Sequence, residues 1–71
     1  MVYFKKGEYE KALENYNKCL EINTKFLGPD SIEVATTLNN IGSVYHNKGE
    51  YQKAIENYNK CLEIRTKVLG P

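Results

Sequence analysis

Long apolar runs are missing from this 71-residue chain. None approaches the ~18 residues that a membrane-spanning helix needs, and the first residues have no apolar core of the signal-peptide kind. An excess of charge is missing as well. Ten Lys and Arg stand against nine Asp and Glu, a net charge of +1, with the two signs interleaved along the chain. Without a basic stripe to follow a phosphate backbone, nucleic acid is excluded as an expected partner. Catalytic vocabulary is equally thin. There is no phosphate-binding loop, nucleophile–base pair or zinc-ligand spacing. The single histidine, His46, has no cysteine or carboxylate at ligand spacing beside it on its helix, and reads as a solvated surface residue. The expectation is a chain that is not an enzyme and takes no cofactor and no metal.

What the chain has is repetition. Lys6 to Pro29 returns as Lys48 to Pro71, a period of 42 residues in which only four of 24 paired positions differ: Glu10/Gln52, Leu13/Ile55, Asn23/Arg65 and Phe26/Val68. A fixed period of this size marks stacked supersecondary units, each too small to cover its own apolar face. Function is then expected on a surface rather than in a pocket. At 71 residues the chain is one small domain near the lower limit for a self-sufficient core, and its stability is expected to be marginal.

Cys19 and Cys61 are copies of one repeat position. Equivalent sites in neighbouring repeats are expected about 10 Å apart, a helix-packing distance that no disulfide spans. Both cysteines read as small buried hydrophobes. Reduced thiols fit an intracellular, cytoplasmic location.

Apolar spacing of three and four predicts helices. One runs from Glu8 to Leu27 through Tyr9, Ala12, Leu13, Tyr16, Cys19, Leu20, Phe26 and Leu27, and its copy from Glu50 to Leu69 through Tyr51, Ala54, Ile55, Tyr58, Cys61, Leu62, Ile64, Val68 and Leu69. Gly28-Pro29 and Gly70-Pro71 end them, since glycine accepts the left-handed conformation past a helix end and proline bars continuation. A third helix is expected over 31–47, capped by Asp30 or Ser31, with Glu33 in capping-box spacing from Asp30. Its expected buried stripe is Ile32, Ala35, Leu38, Ile41, Gly42 and Tyr45. Gly42 within a helix costs about 1 kcal/mol relative to alanine, and close approach of a large neighbouring side chain is the expected return. Lys48-Gly49 then turns the chain back into an antiparallel hairpin. Val2 to Gly7 aligns with Val44 to Gly49, so residues 1–6 are expected to be the end of a helix whose first part is absent, as in an excised or engineered piece of a longer array.

The pattern Leu38, Ile41, Gly42, Tyr45 followed by Ala54, Tyr58, Cys61, with Ala12, Tyr16, Cys19 in the preceding copy, resembles tetratricopeptide repeats, which pair a helix A with a helix B. Departures are Leu38 where tryptophan is common, cysteine for the second alanine, and Thr24 or Thr66 where proline normally ends helix B. Loss of that proline lets helix B run on, which lengthens the usual period of about 34 residues. Phe26 to Tyr45, with its LGPD turn and Leu-Asn-Asn run, is similar to the repeats of kinesin light chains. The resemblance implies an all-α fold, antiparallel hairpins stacked as a right-handed solenoid, with three helices and a stub here. It also implies a protein-interaction scaffold that binds a protein or peptide along the concave helix-A face. The residues it assigns to that face are Asn40 first, then Asn39, Ser43, Asn47 and Thr36; an asparagine amide both donates and accepts, as a peptide backbone requires. The alternative is that these are solvated helix residues of a structural module with no ligand of its own. Each outer helix lacks a covering neighbour, so self-association is expected, by end-to-end stacking that continues the superhelix or by helix exchange. The carboxylate–lysine spacings Glu14/Lys18, Glu21/Lys25, Glu56/Lys60 and Glu63/Lys67 read as helix-surface pairing.

Overall fold

The computed structural model describes residues 6–70, apart from the Lys6 side chain. Three helices follow one another: α1 (Lys6–Leu27), α2 (Ile32–Asn47) and α3 (Tyr51–Leu69), with no strand among the described residues. The fold is all-α. The expected helix end over residues 1–6 lies outside the described residues except for Lys6, which belongs to α1. Gly7 is also helical, whereas its copy Gly49 has a φ of +84° in the turn between α2 and α3.

α1 and α3 end alike. Gly28 donates to the carbonyl of Thr24 at 3.1 Å, and Gly70 to that of Thr66 at 3.0 Å. Their φ values of +92° and +83° lie in the region that a Cβ disfavours. At the start of α2 the cap is Ser31. Its backbone is extended and its Oγ accepts from Val34 N at 3.2 Å. Asp30 instead accepts from Lys67 Nζ at 3.3 Å, which ties the loop to the end of α3.

α2 is the central layer: α1 packs on one side of it and α3 on the other, and no Cα of the described part of α1 comes within 8 Å of one in α3. Val34, Ala35 and Leu38 meet Cys61 and Ile64 of α3. Ile41 and Val44 meet Leu13 of α1, with Tyr9, Ala12, Tyr16 and Tyr45 packed against them. Leu20 touches both clusters and joins them. Each large aliphatic side chain buried here contributes roughly 1.5–3 kcal/mol.

Because α2 is covered from two sides, its buried arc is wider than one stripe. Val34, Thr37 and Val44 are buried in addition to Ala35, Leu38, Ile41 and Gly42, whereas Ile32 is exposed. Thr37 is accommodated because its hydroxyl donates to the Glu33 carbonyl at 3.0 Å. Tyr45, expected in the buried stripe, is half-buried at the edge of the core, as are Tyr16 and Tyr58. Gly42 does meet a large neighbour: a Cβ built there would lie 2.8 and 2.9 Å from the Tyr58 ring and 3.3 Å from the Ala54 carbonyl oxygen.

The near-identical helices α1 and α3 bury different faces. Leu13 is 7% exposed and its copy Ile55 is 50%, while Ile22 is 55% exposed and its copy Ile64 is 8%. The reading of both cysteines as buried is corrected in the same way. Cys61 is buried against α2, whereas Cys19 is exposed, since α2 lies against the other face of α1. One repeat sequence thus carries two packing faces, and α2 covers one on each side.

An ionic cluster pins the end of α2. Lys48 Nζ reaches Glu10 of α1 at 2.8 Å and Glu50 at 3.0 Å, and Lys53 reaches Glu50 at 3.2 Å. The hydrogen bonds to Glu10 and then Glu50 hold the Lys48 ammonium above the ordinary lysine range. Those from Lys48 and then Lys53 lower the Glu50 carboxyl below its ordinary 4.5. A lowered carboxyl contributes stability that is complete above its unfolded value and is lost as pH falls through the folded one. A raised lysine keeps its contribution at every pH below the ordinary lysine range and loses it only on the alkaline side. Acid titration of the melting midpoint will therefore show a modest loss setting in below 4.5, and Glu50→Gln will reduce it. An identical acid limb in the variant would mean that Glu50 contributes none of that loss.

Of the expected intrahelical pairs, Glu14–Lys18 is closed at 3.4 Å, with both side chains well exposed. Such a pair contributes a few tenths of a kcal/mol.

Candidate interaction face on α2

α2 gives its buried arc to α1 and α3, and the residues left over lie together on the opposite side. At about 100° per residue, Thr36, Asn39, Asn40, Ser43 and Asn47 fall within an arc of about 100°, centred away from Leu38, Ile41 and Tyr45. All five are half-buried or exposed. The face carries no carboxylate and no lysine or arginine.

Within that arc the groups are not equally available. Thr36 Oγ1 donates to the Ile32 carbonyl at 3.0 Å, and Ser43 Oγ donates to that of Asn39 at 3.1 Å. Ser43 Oγ also lies 3.1 Å from Tyr58 Oη, where either hydroxyl can donate. Those two hydroxyls are thus engaged within the fold. The amides of Asn39 and Asn40 are engaged by no other described residue. Asn40 lies at one edge of the arc, half-buried on the helix, and its amide offers one donor group and one acceptor. The Asn47 carbonyl accepts from Tyr9 Oη at 3.3 Å, which ties the end of α2 to α1 and leaves the Asn47 side chain exposed.

The arc was visible from the sequence as a set of polar positions. The bond between Ser43 and Tyr58 was not, because it depends on how α3 crosses Gly42.

No other feature competes as a site. A shallow cleft of about 170 Å³ lies between Pro29-Asp30 and the last turns of α3, lined by Val34, Leu38, Lys60 and Ile64, with the Lys67–Asp30 pair at its rim. Its α2 residues, Val34 and Leu38, lie on the side of the helix opposite the asparagine arc. Among the described residues no cluster of three or more His, Cys, Asp or Glu could hold a metal ion. Among them, too, no helix is long and apolar enough to cross a membrane.

A tetratricopeptide repeat profile matches residues 1–67. The chain belongs to the tetratricopeptide repeat family. Members of this family are repeat scaffolds without catalytic function of their own, and their repeats mediate protein–protein interaction. No curated protein and no solved structure matches the chain.

Proposed function

We propose that this tetratricopeptide repeat chain is a non-catalytic scaffold that holds an extended peptide segment of a partner protein along the polar arc of α2. The observation that carries this reading is the Asn39–Asn40 pair, two amides engaged by no other described residue on the one face of helix A that neither helix B covers. An amide on a rigid helix can donate to one peptide carbonyl and accept from one N–H without reference to the ligand's side chains. Thr36, Ser43 and Asn47 complete the face. The uncharged arc fits a ligand held by its backbone rather than by a carboxylate. An exposed Cys19 thiol suits a reducing compartment, so an intracellular location belongs to the proposal.

The test is selection of peptides from a displayed library against the folded chain, followed by titration calorimetry of the selected sequence. Asn40→Ala will weaken binding by about 1–2 kcal/mol, roughly 5–30-fold, with an unchanged melting midpoint. Equal affinities would remove Asn40 from the site.

A second reading, self-assembly, is favoured by a separate observation. Tyr51, Ile55, Leu62 and Leu69 on α3, and Ile22 and Phe26 on α1, are large apolar side chains exposed at the two sides of the stack. End-to-end stacking or helix exchange between copies would cover them.

A further inference from the structure

One polar contact between helices lies at the border of the asparagine arc. Ser43 Oγ is 3.1 Å from the Asn39 carbonyl oxygen and 3.1 Å from Tyr58 Oη of α3. A serine hydroxyl has a single proton, and a carbonyl oxygen can only accept. Both contacts are hydrogen bonds together in one arrangement alone: Ser43 donates to Asn39, and Tyr58 donates to Ser43. The one proton of the phenol is thereby committed within the fold. What Tyr58 Oη has left to offer is its capacity to accept.

The ring that carries this oxygen is held in place. It lies against Gly42, where a Cβ would come within 2.8 Å of it. Around α2, at about 100° per residue, Gly42, Asn39 and Ser43 follow one another, so the phenol borders the arc on its α3 side. Asn40 lies at the opposite edge. Tyr58, Ser43, Asn39 and Asn40 are all half-buried, so none is sealed from a ligand on that face. The repeat copy of Tyr58 is placed differently. Tyr16 has the same flanking residues, Glu-Asn before it and Asn-Lys after, but packs against the cluster of Leu13, Ile41 and Val44. Its hydroxyl has no hydrogen-bond partner among the described residues.

Resting on the peptide-binding reading, we infer that Tyr58 is a further binding residue of that site. Its hydroxyl oxygen accepts one backbone N–H of the bound segment, so the site spans α2 and α3 rather than α2 alone. The Asn39 and Asn40 amides each meet a donor or an acceptor equally well. An oriented phenol meets only a donor. The Tyr58 contact therefore sets the register of the segment: a carbonyl placed there would face another acceptor, and a proline there has no N–H to give.

The peptide selected from the displayed library, remade with each backbone amide in turn replaced by an ester, tests this by titration calorimetry. An ester removes one N–H and keeps the length of the chain. Tyr58→Phe keeps the ring over Gly42 and will weaken binding of the all-amide peptide roughly 3–10-fold. One ester will weaken binding to the wild type by a similar factor and will have little further effect on Tyr58→Phe. That coupling is what a double-mutant cycle reads. A hydroxyl that only ties α3 to α2 would lower the melting midpoint without producing it. Tyr16→Phe, the same change at the same repeat position, will leave the affinity unchanged. Equal ester effects in both proteins at every position, or an equal loss for Tyr16→Phe, would overturn the Tyr58 contact and leave a peptide site on α2 alone. A library that yields no binding peptide would defeat the peptide reading itself, and this contact with it.

Discussion

Gly42→Leu will unfold most of this protein at temperatures where the wild type is folded. A single Cβ at position 42 already approaches the Tyr58 ring to 2.8 Å, and three further carbons have no space between α2 and α3. Overpacking of a tight helix contact costs about 1–3 kcal/mol, and more where neither side can retreat. Tyr58 is held by its hydroxyl contact with Ser43, and the Ala54 carbonyl oxygen would lie 3.3 Å from the same Cβ. In a domain of this size each kcal/mol shifts the midpoint by roughly 4–8 °C, so a fall of at least about 12 °C is expected. Gly42→Ala sharpens the test because two effects oppose each other. Alanine gains about 1 kcal/mol of helix propensity, while the new methyl pushes the Tyr58 ring from its place. The clash wins, and the variant will be the less stable protein. In a Tyr58→Ala background the ring is gone and the same substitution will become stabilising. That reversal of sign, read from a double-mutant cycle of thermal melts, separates close packing from any general demand for glycine. Equal effects in both backgrounds would mean that Tyr58 is not what Gly42 makes room for. Glu56→Gln, on the solvated side of α3, will change the midpoint little.

The role of Gly42 was legible in the sequence because glycine weakens a helix, and inside an amphipathic stripe that cost is recovered only where a neighbour needs the space. The Gly-Pro ends of α1 and α3 and the hairpin turn were legible for a similar reason, since each residue type there answers a local backbone demand. The burial of Thr37 and Val44 was not. Thr37 and Val44 lie outside the single stripe that a periodic reading selects and are buried because α2 is enclosed from two directions, whereas Val34, four residues before Leu38, falls within that stripe. The asparagine arc could be read as a polar face. That its two hydroxyls, Thr36 and Ser43, are engaged within the fold while the Asn39 and Asn40 amides are not depends on side-chain geometry that spacing does not encode. Cys19 shows the limit most plainly. Its flanking residues match those of Cys61 almost one for one, so local sequence assigns the two the same environment. Their burial differs because α2 sits on one face of α1 and on the other face of α3.

That difference carries the second large expected effect. Ile22 and Ile64 are the same residue at the end of the same segment, Lys-Cys-Leu-Glu-Ile, on helices that end alike. Ile64→Ala removes an 8%-exposed side chain from the cluster of Val34, Ala35, Leu38 and Cys61. It forfeits both the transfer energy and the packing around the cavity that remains, about 2–4 kcal/mol. Ile22→Ala trims a side chain that is mostly in water and will cost under about 1 kcal/mol, while alanine's better helix propensity offsets part of that. At the leucine-type position the order reverses: Leu13→Ala will be the damaging change and Ile55→Ala the mild one, because α2 covers that stripe on α1 and not on α3. Urea melts of the four variants, at concentrations low enough that no association contributes, give the answer directly. Local sequence cannot produce this crossed pattern, since the two helices share it; only the placement of α2 between opposite faces of two near-identical helices can. Similar losses at Ile22 and Ile64 would mean that a further layer covers the outer face of α1 in solution. Similar losses at Leu13 and Ile55 would place such a layer on α3 instead.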